Sequence, residues 1–150
     1  MNSNRSISFI TALILAICPF SLTLAGGEGI IEERAWTPLF GTKERKAIFN
    51  ALRAEVQRRH SLEVVFVVNH LKVKNGWAWT QTLPQSKDGI SNYEDISALL
   101  VKSDAGWRVA ELPCTDEDNN LCLGSDDHYF EGLRRRFPSV PSEIFPVSAK

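Results

Sequence analysis

Residues 62–83, LEVVFVVNHLKVKNGWAWTQTL, limit what this chain can fold into more than any other stretch. Asn75-Gly76 accepts the positive φ angles of a two-residue type I′ turn, whose twist suits two antiparallel strands, so the stretch predicts a β-hairpin. A two-residue turn also fixes register. Lys74 faces Trp77, Val73 faces Ala78 and Lys72 faces Trp79, which puts both tryptophans on one sheet face with both lysines. That face has two readings. In one, Lys72, Lys74, Trp77 and Trp79 form an exposed basic-aromatic platform that binds a partner. In the other, lysine stems lie over half-buried rings.

The first strand changes parity. Leu62, Val64, Phe66 and Val68 lie on one side and Val65, Val67, Leu71 and Val73 on the other, which predicts a central strand with a bulge near Asn69-His70. A bulge re-aims side chains, so His70 is the histidine to watch, with a structural hydrogen bond as its plainer role.

Upstream, Thr42 is placed to cap a helix in which Ala47, Ile48, Ala51, Leu52 and Val56 recur at helical spacing, and Arg58-Arg59-His60 suits its C-terminal end. Trp36 in the lead-in is expected to cap the core. Downstream, Lys87-Asp88-Gly89 marks a turn. Tyr93–Ser103 reads as a strand covered on both faces, and Trp107–Leu112 as its return strand after Asp104-Ala105-Gly106. A short second helix carries Tyr129, Phe130 and Leu133 inward and ends on Arg134-Arg135-Arg136, with Ile144 and Phe145 docking the tail. The fold class is therefore α+β, an N-terminal helix on a four-stranded antiparallel meander with a short C-terminal helix.

With 150 residues, 43% of them hydrophobic, and four Trp and eight Phe, the chain suits one domain with one core. Residues 7–24 are apolar with Arg5 ahead and Thr23-Leu24-Ala25 behind, the pattern of a signal peptide cleaved after Ala25. Residues 26–150 are then the mature domain, in the periplasm or secreted, with no stable membrane span. Cys114 and Cys122, with seven residues between them, are expected to form a disulfide in an oxidising compartment. The loop between them belongs to the acidic stretch Asp116–Asp127. It matches calcium-loop positions at Asp116, Asp118, Asn120 and Asp127, but has Leu121 where such loops need glycine and Asp where they end in Glu, so a solvated acidic loop is the expectation.

A net charge of −1 gives no global field for nucleic acid or anionic lipid, so charge-driven binding must be local. No GxSxG, HExxH, P-loop or GxGxxG motif is present, His60, His70 and His128 lack metal-ligand spacing, and no cofactor is expected. A triad such as His70, Asp95 and Ser97 is selected by nothing in the spacing.

KAIFNALRAEV, VVFVVNHLKVKNGWAWTQTLPQ, the Asp88-Gly89 turn, YEDISALLVKSDAGWRVAELPC and the terminal PSEIFP resemble a widespread group of small, largely uncharacterised bacterial exported proteins. The resemblance covers residues 44–107 well and the rest loosely. It implies a periplasmic or secreted location and a cystatin-like or NTF2-like α+β fold, and carries over no catalytic residue. The functional expectation is a non-enzymatic periplasmic module that binds a protein or cell-wall partner, of inhibitor or immunity type by analogy. The alternative is an NTF2-like small-ligand enzyme or hydrolase with a pocket between helix and sheet. A homodimer through an open sheet face is a third reading.

Overall fold

The computed structural model of the chain describes residues 34–113 and 127–146. The signal-peptide pattern, the cysteines expected to pair and the acidic stretch before Asp127 lie outside the described residues, which all belong to one compact unit, Glu32–Lys150. The element order is α1 (Lys43–His60), β1 (Val65–Lys74), β2 (Trp77–Gln85), β3 (Ile96–Ser103), β4 (Gly106–Glu111), α2 (Asp127–Arg136) and a short 3₁₀ turn at Ser142–Ile144.

α1 starts where the hydroxyl of Thr42 accepts from the Arg45 N–H at 3.3 Å, which satisfies one of the unpaired donors of the first turn. It stops where Ser61 adopts a left-handed φ of 56° and its N–H closes on Gln57 O. Ile48, Phe49, Leu52 and Val56 are its buried residues. Phe49 takes the place expected of Ala47, which is exposed.

The hairpin forms as its turn chemistry dictates. Asn75 and Gly76 have φ of 49° and 73°, and Lys74↔Trp77, Val73↔Ala78 and Lys72↔Trp79 are paired. All four strands run antiparallel in the order β1-β2-β3-β4, a meander. The bulge falls between Val68 and His70.

Its consequence corrects the expectation of a central strand. Propagating the register through the bulge places Phe66 and Val68 on the same face as Leu71 and Val73, so these four, drawn from both parities, pack toward α1. Val65 and Val67 turn to the other face, where they are 39% and 44% exposed, and β1 is an edge strand. Trp36 is likewise not a cap over the core. It is 42% exposed and contributes its backbone, exchanging two hydrogen bonds with Val73 at 2.9 and 2.8 Å.

The sheet is covered on both faces. On one, Ile48, Phe49 and Leu52 of α1 meet Leu71, Val73, Ala78, Ala98 and Leu100. On the other, Trp79 and Leu99 are buried under Phe130 and Leu133 of α2 and Val140, Ile144 and Phe145 of the tail. Each fully buried large apolar side chain contributes on the order of 1.5–3 kcal/mol, so both layers matter to stability. Glu111 at the end of β4 ties α2 down, accepting from Tyr129 Oη at 2.8 Å and from Arg136 Nε at 3.2 Å.

Candidate functional site

The second face of the sheet is best described in cross-strand rows. The top row is Lys74, Trp77, Val101 and Arg108, and the next is Lys72, Trp79 and Leu99. Below these come His70, Gln81 and Ser97, then Val67 and Leu83, then Val65 and Gln85. Lysines and indoles do line up on one surface, but that surface is not open.

The chain's own C-terminal segment occupies it. Trp79 has no exposed surface, and Phe130 and Phe145 meet it edge-on at centroid separations of 5.2 and 5.4 Å. Trp77 is half-buried with its ring 5.7 Å from that of Phe137. Lys74 is only 7% exposed and donates to Glu143 Oε1 at 2.7 Å, a contact that holds the Glu143 carboxyl below its ordinary range. Lys72 is half-buried. Three of the four residues expected to meet a partner, Lys74, Trp77 and Trp79, thus contact Glu143, Phe137 and Phe145 of the same chain.

His70 belongs to the same seal. Its Nε2 lies 2.8 Å from Ile144 O, and a carbonyl can only accept, so Nε2 carries the proton. Gln81 stands between His70 and Ser97 in the row, two strand spacings or roughly 9–10 Å across, which is no triad geometry. Among the described residues no cluster of three His, Asp or Glu side chains comes together to hold a metal, and no helix is long and apolar enough to cross a membrane.

The enzyme alternative needs a pocket between α1 and the sheet. That interface is filled by the packed apolar side chains named above. The two buried hydroxyls on the same face are bonded, Thr80 Oγ1 to His70 O at 2.8 Å and Thr82 Oγ1 to Ile96 O at 3.2 Å. A hollow of about 370 Å³ lies instead on the outer side of α2, lined by Glu131, Arg134, Arg135 and Pro138. Its glutamate offsets part of its positive charge.

What remains open is the lower half of β1. Pro84 O accepts from Tyr93 N on the β3 side, and Val73 spends both of its outward groups on Trp36, so the even-numbered residues of β2 turn toward β3. Their partners Phe66 and Val68 therefore direct their own N–H and C=O groups to the outer edge. Among the described residues no strand pairs there. The lead-in bonds β1 at Val73 and at Leu71 O, through Thr37 Oγ1, and its antiparallel direction carries Ala35 and Arg34 away from this half.

Val65–Asn69, VFVVN, carries no charge, and neither lysine nor proline guards it. With Leu83 beside Val67, the edge adjoins a strip of apolar surface. Reading the sequence face by face missed this site. Counting one residue out at Asn69 is the signal that finds it.

No protein-family model, curated protein or solved structure matches the chain. The likeness to small bacterial exported proteins therefore rests on the quoted sequence motifs alone.

Proposed function

We propose that this chain is an exported, non-enzymatic binding module of the bacterial periplasm, which takes up an extended segment of a protein partner as a fifth strand along β1. The observation that carries this reading is the uncharged edge at Val65–Asn69, unpaired among the described residues, with Val65 and Val67 exposed. Strand addition draws affinity from main-chain hydrogen bonds and selectivity from alternate side chains. The partner segment that fits is uncharged, with apolar residues at every second position to lie on Val65, Val67 and Leu83. An inhibitor or immunity-type role is the analogy that size and make-up suggest. Export is supported by the apolar run at 7–24 with its small residues at the cleavage position.

The test is site-specific cross-linking in cells that export the chain. A photo-crosslinking side chain in place of Val67 gives a discrete adduct with another exported protein, and the same probe in place of exposed Lys102 does not. Val65→Lys, which sets a charge on the edge without touching the core, abolishes the adduct. Equal adducts at both positions, or none at position 67, contradict the proposal. An adduct of the chain with itself assigns the edge to a homodimer instead.

A further inference from the structure

The turn that leads into α1 holds two large apolar side chains in water. Phe40 is 94% exposed and Leu39 76%. They are not on a loose loop, because the Thr42 N–H and hydroxyl both donate to Leu39 O, at 3.3 and 2.8 Å. Gly41 between them and the cap has a φ of +83°, which an L side chain rarely adopts, with no atom within 4 Å of where a Cβ would stand. The apex is thus a built projection, not the wall of a groove.

Positive charge follows it directly. Lys43 and Lys46 stand exposed in the first turn of α1, where cations oppose the helix dipole and the helix would be better served by acids. Glu44, the acidic residue of that turn, is engaged by Lys102 Nζ and Trp107 Nε1, each at 3.0 Å. Arg34, six residues before Phe40, is also exposed. Neither it nor the two lysines forms an ion pair among the described residues. Folding explains neither the exposed pair nor the unfavourably placed cations.

We propose that this apex docks the domain on an anionic phospholipid surface. Phe40 and Leu39 enter the boundary between headgroups and acyl chains, and Lys43 and Lys46 meet the lipid phosphates. A projecting apolar tip with two cations beside it fits a fluid surface, which conforms to it. A protein partner would have to supply a pocket of matching shape. The local concentration of charge matters because the chain as a whole carries only −1.

The test is partition of the exported chain, as purified from expressing cells, onto vesicles of phosphatidylcholine with and without phosphatidylglycerol. The chain binds the phosphatidylglycerol vesicles, and Phe40→Ser weakens that binding about tenfold or more. Lys46→Glu weakens it by at least about fivefold, although an acid at this position favours the helix, so misfolding does not account for the loss. Ile90→Ser, at another exposed apolar side chain, leaves it unchanged. Equal binding to both vesicle types, or a Phe40→Ser variant that binds like the parent, overturns the proposal. So does capture of a protein through Phe40 by a chain that leaves vesicles bare.

Discussion

Trp79 shows at the scale of one residue how the lysine and tryptophan face is used. It is fully buried, and its Nε1–H has no hydrogen-bond partner among the described residues. Trp79→Ala therefore empties a large site and is expected to cost about 3–5 kcal/mol. Trp79→Phe removes the unpaired donor together with the ring volume, and an orphaned buried donor costs on the order of 1–3 kcal/mol, so this variant loses far less than the alanine one. Urea midpoints of the two variants check the order. Tyr129 makes a second prediction. Burial first, and then its hydrogen bond to Glu111, push its hydroxyl well above the ordinary value of 10.0. The folded chain thus holds that proton more tightly than the unfolded one, and the stability this lends is whole below about pH 10 and is lost as pH rises further. Tyr129→Phe should cost about 1.5–3 kcal/mol at neutral pH, as for a hydrogen bond to a carboxylate, and flatten the alkaline limb of a stability-against-pH curve. Glu55 acts with the opposite sign. Hydrogen bonds from Arg58 and then Arg59 hold it at about 2, so its contribution is present above its ordinary 4.5 and fades as pH falls toward 2. That contribution is a surface one, a fraction of about 1 kcal/mol.

Elements differ in how plainly they could be read from the sequence. The hairpin was legible because two residues dictate it. Gly76 has φ 73°, and a Cβ there would meet only Lys102 Cβ at an ordinary 3.9 Å, so Gly76→Ala acts through the backbone alone. A loss of about 1–2 kcal/mol is expected, with the fold retained, measurable by thermal unfolding. α1 was legible through Thr42 and its apolar stripe, and β3 through its run covered on both faces. β1 was half legible. The parity switch announced the bulge, but the same run on a flat strand means a buried one, and only the pairing of Val68 with Thr82 shows that one apolar set faces α1 while Val65 and Val67 face water. Trp36 misled for a different reason, since an indole in a lead-in predicts burial and here the backbone does the holding. What packs over the Lys-Trp face was not readable from the hairpin, because that contact joins β1 and β2 to residues some sixty to seventy positions away, as between Lys74 and Glu143.

For the whole molecule, the account comes to one contrast between two surfaces of the same sheet. The face that looked suited to a partner is sealed by the tail, through Phe145 against Trp79, Ile144 O against His70 and Glu143 against Lys74. The edge at Val65–Asn69 is left with its peptide groups turned outward. Residue-resolved amide hydrogen exchange of the free chain separates the two directly. The amides of Phe66 and Val68 are expected to exchange quickly, while Val67, turned toward β2, and Val73, bonded to Trp36 O, exchange slowly. Protection of Phe66 and Val68 equal to that of Val67 and Val73 would mean that the edge is already paired, and would contradict the account.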